Sequence, residues 1–159
     1  MSTRAQPAGE RPVPLATLLA QAKDLTITLL HQRLHEEGFD HVRYRHGSVF
    51  RHIDPDGSRL TALAERSGFS KQAIAEVVDE LERSGYAERT PDPADRRAKL
   101  IRLTQRGRNA QLAAARILTD MEHQWARRLG PDAITTLRHT LQQILTHHPT
   151  PQQTPEADT

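Results

Sequence analysis

Apolar residues recur at helical spacing along most of the chain between residues 13 and 146. The first run extends from Leu15 through Leu34 and is followed by Gly38, a residue type that favours helix ends. Two later runs, over about 104–129 and 132–146, show the same spacing and are separated by a Gly-Pro pair. The pattern predicts a mainly helical protein with one long helix at its start and two at its end.

Two shorter helices are predicted in the middle of the chain, at about 61–67 and 70–84. Gly68 between them suits the left-handed position that closes a helix, because glycine has no Cβ to clash there. Ser70 suits the N-cap of the second helix, since its hydroxyl accepts a hydrogen bond from a backbone N–H in the first turn. This spacing is typical of a helix-turn-helix.

An alternating pattern follows the helix-turn-helix and predicts two short strands, at 86–90 and 98–104. The segment between them, "PDPADRR", has the proline and aspartate content of a hairpin loop. A helix-turn-helix followed by a β-hairpin predicts a winged helix. The predicted fold class is therefore mainly α with a small β-hairpin wing, to which a helical region is added.

The composition excludes several classes of site. The 159 residues suit one domain of ordinary size, and the chain holds no cysteine, which rules out disulfides and thiolate metal sites. No apolar run approaches the roughly 18 to 20 residues of a membrane span, and no leader is recognised, so we expect a cytoplasmic protein without a membrane partner. Proline-rich and glutamine-rich ends predict disordered tails at 1–12 and 147–159.

Positive charge is concentrated in the predicted hairpin. The chain as a whole has a formal net charge of +2, from 22 Lys and Arg against 20 Asp and Glu. The segment from Tyr86 to Arg108 alone holds seven cations and three anions, a net charge of +4. This local concentration of positive charge indicates binding to a polyanion more strongly than the total charge of the chain does.

The predicted recognition helix offers residues suited to DNA at its N-terminal end. Ser70 and Lys71 can hold phosphates there, while Gln72 can pair with an adenine edge and Ala75 can meet a thymine methyl group. The alternative is an ordinary surface helix, which Glu76 and Asp79 favour because carboxylates repel the phosphate backbone.

The predicted wing supplies the second candidate contact. Arg97 at its tip can enter a minor groove, where A·T tracts concentrate negative potential. Asp95 can orient the Arg97 guanidinium through a bidentate pair, and Arg96 and Lys99 are expected to contact phosphate or solvent. The alternative is a solvated loop, but its position directly after a helix-turn-helix favours DNA.

Residues 60–107 resemble the DNA-binding lobe of the MarR family of bacterial transcriptional regulators. The resemblance depends on a wing signature of Asp, any residue, Arg and then an aliphatic strand ending in Leu-Thr, here Asp95, Arg97, Ile101, Leu103 and Thr104. It implies a homodimer on a pseudo-palindromic operator, with 13–38 and 105–146 as the dimerisation region and 40–104 as the winged-helix lobe. It also implies a pocket for a small effector between these regions, lined by the first, second and fifth helices.

The second helix is predicted to start after Asp40, its N-cap, and holds the candidate effector residues. His46 lies on its apolar face, with Arg43 and Arg45 close by, and this group suits a small anionic ligand such as a phenolic acid. Gly47 beside it is expected to allow close helix approach or to leave space for a ligand. The alternatives are a hydrogen-bonded core histidine and a solvated helix face.

His31 and His35 are spaced i and i+4 on the first helix, with His41 nearby, which suits a zinc or nickel site. A metal-responsive regulator of the same fold is therefore one alternative function. A winged-helix module that binds proteins without binding DNA is another. No catalytic motif and no cofactor are indicated, so we expect a protein that is not an enzyme.

Overall fold

Three long helices and a small winged-helix lobe make up the structure, a computed structural model that describes residues 12–147. In chain order the elements are α1 (Leu15–Glu36), a 3-10 turn (Tyr44–His46), α2 (Gly47–Phe50), β1 (Ser58–Arg59), α3 (Leu60–Ser67), α4 (Lys71–Arg83), β2 (Ala87–Asp92), β3 (Asp95–Leu103), α5 (Gln105–Leu129) and α6 (Pro131–His147). The predicted mainly helical class is confirmed. The predicted tails lie outside the described residues, apart from Pro12 and His147.

The helix-turn-helix has the predicted local structure. Gly68 closes α3 in the left-handed region, at φ +74°. Ser70 caps α4, because its Oγ accepts a hydrogen bond from the backbone N–H of Ala73 at 3.1 Å. Both features depend on residues close in sequence, which is why the pattern predicted them correctly.

The second helix differs from the prediction. Asp40 does not cap it, and His41 instead adopts a left-handed conformation, at φ +65°, as the chain leaves α1. One 3-10 turn and the four-residue α2 then follow, so that Gly47 begins α2 rather than lying in the middle of a longer helix. The start of the 3-10 turn is capped by His46, whose Nδ1 accepts a hydrogen bond from the Arg43 backbone N–H at 3.1 Å.

The wing is a three-stranded antiparallel sheet in the order β1-β3-β2, one strand more than the prediction. The short β1 pairs with β3 through Ser58 opposite Ile101. The predicted hairpin loop is wrong in length, because β2 and β3 continue until only Pro93 and Ala94 form the turn. Arg96 and Arg97 consequently lie on β3 rather than in a loop.

Two apolar clusters hold the chain together. The first lies inside the winged-helix lobe, where α4 buries one face against α3 and the sheet through Ile74, Val77, Val78 and Leu81. The second joins α1 to α5 through Leu34, Ala113, Ile117 and Met121. Because α5 contributes Ala110 to the first cluster, it connects the lobe with the long helices. Within residues 12–147 no helix is long and apolar enough to cross a membrane.

Candidate nucleic-acid interface and effector cavity

The N-terminal end of α4 presents polar side chains beside a capped helix terminus. Ser70, Lys71 and Gln72 are exposed, and Ala75 is half-buried one turn later. The Gln72 amide lies 3.5 Å from the Glu76 carboxylate, at the limit of a hydrogen bond. Unpaired N–H groups at a helix start attract anions, so this end of α4 is chemically suited to phosphate and to base edges.

Arginines from outside α4 neutralise several of its carboxylates. Nη2 of Arg89, on β2, lies 2.8 Å from Oδ1 of Asp79, and the same guanidinium also pairs with Glu82. Nη2 of Arg45 lies 3.9 Å from Oε2 of Glu76. Of the two acidic residues that favoured an ordinary surface helix, Asp79 is therefore paired closely and Glu76 only at the limit of an ion pair, which reduces their repulsion of a phosphate backbone.

Side chains alternate along β3, and this alternation separates the basic residues of the wing. Arg97 and Lys99 share the face that carries the buried Ile101 and Leu103, and Arg96 lies on the opposite face. All three basic side chains are exposed. On β2, Arg89 lies opposite Ile101 and reaches α4, so Arg97 and Lys99 project on the side of the sheet that faces the recognition helix.

The expected bidentate pair between Asp95 and the Arg97 guanidinium does not occur within the described chain. Oδ1 of Asp95 instead accepts a hydrogen bond from the backbone N–H of Arg97 at 3.1 Å. The other carboxylate oxygen lies 3.9 Å from Nη2 of Arg59. A side chain two residues away on the same strand points along the same face, but the short Asp95 side chain reaches the nearer backbone first.

A different carboxylate holds the wing tip, and the sequence analysis missed it. Oδ2 of Asp92 accepts hydrogen bonds from Nε and Nη2 of Arg59, at 2.8 and 2.6 Å, while Oδ1 accepts from the backbone N–H of Ala94 at 2.9 Å. The Ala94 N–H, followed by the Arg59 guanidinium, lowers the pKa of Asp92, which is almost fully buried. Because Arg59 is 33 residues away, no local pattern indicated the pair.

A cavity of about 340 Å³ lies between α1, residues 43–51 and α5. Its wall is mostly apolar, with polar groups from His31, Arg43, Arg51 and Gln111. Of the predicted effector residues, Arg43 and Gly47 line it, whereas Arg45 and His46 do not. The sequence analysis missed Arg51 and Gln111, since neither stands in a motif.

His46 is a hydrogen-bonded core residue, as the alternative interpretation held. Its ring is only 1% exposed. Nδ1 accepts from the Arg43 backbone N–H, and Nε2 lies 2.9 Å from Oε2 of Glu80 on α4. Burial lowers the pKa of His46, although the Glu80 carboxylate opposes the shift. The ring faces a second, polar cavity of about 300 Å³ beside α4, which His41 also lines.

The predicted metal residues do not converge. His31 lines the apolar cavity, and burial lowers its pKa. Nδ1 of His35 lies 2.5 Å from Oδ1 of Asp40, and the exposed His41 stands in the turn after α1. Across residues 12–147 no three His, Asp or Glu side chains are grouped to hold a metal ion. His31, His35 and His41 therefore form no common group in this part of the chain, and a metal site on them stays a prediction.

Comparison with known proteins points to DNA binding, as the geometry of α4 and the wing does. A sequence model described as MarR family matches residues 44–98. The chain is 27% identical over 99 residues to the transcriptional activatory protein BadR of Rhodopseudomonas palustris, a match that covers 62% of this chain and only 55% of BadR.

Among solved structures, CouR from Rhodococcus jostii RHA1 bound to p-coumaroyl-CoA superposes with a TM-score of 0.62 and 28% identity, covering 86% of this chain and 93% of CouR. The transcriptional repressor CouR bound to a 23-mer DNA duplex gives a TM-score of 0.64 and 25% identity, covering 82% and 92% of the two chains. The match over residues 44–98 and the fold shared with CouR identify residues 44–98 as a MarR-family winged-helix lobe.

Proposed function

We propose that this protein is a sequence-specific transcriptional repressor that binds DNA as a homodimer and is released by a small anionic effector. The observation that carries the proposal is the juxtaposition of a capped, carboxylate-neutralised α4 with a basic wing whose Arg97 and Lys99 project on the same side. In this arrangement α4 enters a major groove through Ser70, Lys71, Gln72 and Ala75. Arg97 reaches the flanking minor groove, and Asp95, Arg96 and Lys99 complete the wing surface.

The long helices support a dimer, with 13–38 and 105–146 as the dimerisation region and 40–104 as the DNA-binding lobe. Leucines on α1, α5 and α6 are exposed to an extent unusual for a monomer, among them Leu15 at 62%, Leu129 at 67% and Leu145 at 66%. Burying them against a second copy provides a two-fold assembly whose recognition helices meet half-sites of a pseudo-palindromic operator about 34 Å apart.

The apolar cavity supports an aromatic acid as the effector. Its volume of about 340 Å³ suits one ring with a short side chain, and Arg43 and Arg51 supply cations for a carboxylate. CouR, which is similar to this chain, has been solved bound to p-coumaroyl-CoA. Occupancy of the cavity would favour a dimer in which the recognition helices are wrongly spaced for the operator.

Repression is proposed because CouR, which matches most of this chain, is a transcriptional repressor, whereas the activatory BadR matches a shorter part. No step of this function needs a cofactor or catalysis, and the residues at the interface act by binding alone. Chromosomal DNA as the target places the action of the protein in the bacterial cytoplasm.

Selection from random DNA followed by gel shift at two salt concentrations tests the proposal. A specific complex that weakens steeply with salt is expected, because lysine and arginine displace counterions from phosphates. Arg97→Ala should weaken operator binding about tenfold, chiefly on A·T-rich flanks, while Gln72→Ala should relax preference at one base pair. Arg96→Ala is the matched control, since Arg96 lies on the opposite face of β3 and should matter less.

The alternatives give different results in the same assay. A protein-interaction module would form no salt-sensitive DNA complex, which would contradict the proposed function. A metal-responsive regulator would change its operator affinity when zinc or a chelator is added, and we expect no such change. An Arg97→Ala variant with unchanged affinity would contradict the assignment of the wing.

A further inference from the structure

Residues 43–51 separate the apolar cavity from the recognition helix. Arg43, Gly47 and Phe50 line the cavity on one side of this segment. His46 and Arg45, on its other side, contact α4 instead. One short segment therefore touches both the proposed effector and the element proposed to read DNA.

The segment is attached to both neighbours by hydrogen bonds. Nε2 of Gln111, a cavity residue on α5, donates to the Phe50 carbonyl at 2.6 Å. On the opposite side, Nε2 of His46 lies 2.9 Å from Oε2 of Glu80, and Nε of Arg45 lies 3.3 Å from the same oxygen. Glu80 is therefore the polar contact on α4 that a displacement of the segment would strain, beside the apolar packing of Val49 on that helix.

The hydrogen bonds of His46 define which ring nitrogen carries the proton and donates to α4. Because Nδ1 accepts from the Arg43 backbone N–H, the proton of the neutral ring lies on Nε2 and is donated to Glu80. The ring is 1% exposed, so loss of this bond would leave a buried donor without its acceptor, which is costly. Movement of the segment that keeps this bond therefore costs less than movement that breaks it.

We propose that His46 and Glu80 are the positioning residues that transmit occupancy of the apolar cavity to the recognition helix. The inference rests on the proposed function and names the contact through which the effector acts. Glu80 lies eight residues beyond Gln72 on a continuous helix, about 12 Å along its axis. A ligand that pushes on Gly47 and Phe50 moves Glu80, and α4 moves with it as a rigid body.

A double-mutant cycle on operator affinity tests the link without an identified ligand. Ala114→Phe places a ring in the cavity as a substitute for the effector, since Ala114 lines it. Ala115→Phe, from a more exposed lining position, is a second filler if the first does not fold. Each filler is combined with Glu80→Ala, which removes the acceptor, and with Glu80→Gln, which keeps an acceptor for the His46 N–H.

The filler is expected to weaken operator binding about tenfold in the otherwise unchanged protein and less than twofold in the Glu80→Ala background. Glu80→Gln should restore most of the effect, whereas a role of charge alone would leave it lost. Glu37→Gln is the matched control, because the Glu37 carboxylate pairs with Arg116 on α5 rather than with His46 or Arg45. In that background the full tenfold effect should remain.

Three results would overturn the inference, and they are distinguishable. An equal effect of the filler with and without Glu80→Ala would show that coupling takes another route while the proposed function stands. A folded Ala114→Phe or Ala115→Phe variant whose operator affinity equals that of the parent would show that filling the cavity does not control DNA binding. A chain that binds no operator would refute the proposed function and the inference with it.

Discussion

At position 46 a histidine ring is held on both nitrogens by groups from different parts of the fold. Protonation at Nδ1 would remove the acceptor of the Arg43 N–H and add a cation beside Arg43 and Arg45. Burial, the largest cause, holds the pKa of His46 below its ordinary value of 6.5. A histidine that resists protonation only in the folded state makes the free energy of unfolding depend on pH.

The sign of that dependence follows from the lowered pKa. As the pH falls through 6.5, the unfolded chain binds a proton at His46 that the folded chain refuses, so stability decreases, by at most ~1.4 kcal/mol per pH unit for one proton. His31, whose pKa burial also lowers, acts in the same direction. The lowered pKa of Glu80, caused first by its hydrogen bond with His46, adds a further loss as the pH falls below 4.5.

We therefore expect His46→Gln, whose amide does not titrate, to flatten the loss of stability as the pH falls below 6.5. Urea unfolding at several pH values measures the slope. The variant will be less stable than the parent at neutral pH, and the slope rather than the absolute free energy is the result that matters. His139→Gln, on the exposed surface of α6, should keep the parent slope. Parallel curves for parent and His46→Gln would contradict the assignment.

At the scale of single elements, the first turn of α5 packs directly on the chain that enters the wing. A Cβ placed on Gly107 would lie 2.0 Å from the Tyr86 carbonyl oxygen. The Tyr86 side chain is also central, because its hydroxyl donates to the Asp40 carbonyl at 2.6 Å and accepts from Arg106 at 3.1 Å. The junction between α1, the wing and α5 consequently has no room for adjustment.

Gly107→Ala should lower the free energy of unfolding by about 3 kcal/mol, since backbone rather than a mobile side chain must move. Denaturant unfolding compares it with Gly47→Ala, where the nearest atom to a new Cβ is Nη1 of Arg51, the end of a flexible side chain. The second variant should stay within about 1 kcal/mol of the parent, because gained helix propensity offsets the shift of Arg51. Similar losses in both variants would contradict the close approach of α5 to Tyr86.

At the scale of the whole molecule, the exposed leucines of the long helices are the main unpartnered apolar surface of the described chain. On α6 the apolar residues Ile134, Leu137, Leu141, Ile144 and Leu145 recur at helical spacing, and three of them are clearly exposed. A second copy of the chain is the partner that the proposed two-fold DNA site would require.

Leu145→Glu should convert the proposed dimer to a monomer and weaken operator binding at least tenfold, because a monomer contacts one half-site. Light scattering coupled to size-exclusion chromatography measures the mass. Gln142→Glu places the same charge on the same helix, off the apolar stripe, and should stay dimeric. A Leu145→Glu protein with unchanged mass would exclude this part of α6 from the interface.

Predictions that depended on neighbouring residues were confirmed. Gly68 and Ser70 act within one turn of their own positions, and the alternation in 98–104 predicted the return strand. The helix after Asp40 was predicted wrongly, because the start of that segment is closed by His46 rather than by a side chain at the N-cap. The hairpin loop was predicted too long, since Asp92 holds a two-residue turn with help from Arg59.

The amino-acid sequence by itself determined the order of the helices, the helix-turn-helix, the presence of a basic wing and the resemblance of its winged-helix lobe to the MarR family. Helix periodicity, capping and strand alternation are local properties that a sequence displays directly. The tertiary structure alone decided that Arg89 neutralises the recognition helix, that Arg51 and Gln111 line the cavity, and that His46 meets Glu80. Each of these depends on packing between different elements: 34 residues separate His46 from Glu80, and only folding brings their side chains within hydrogen-bonding distance.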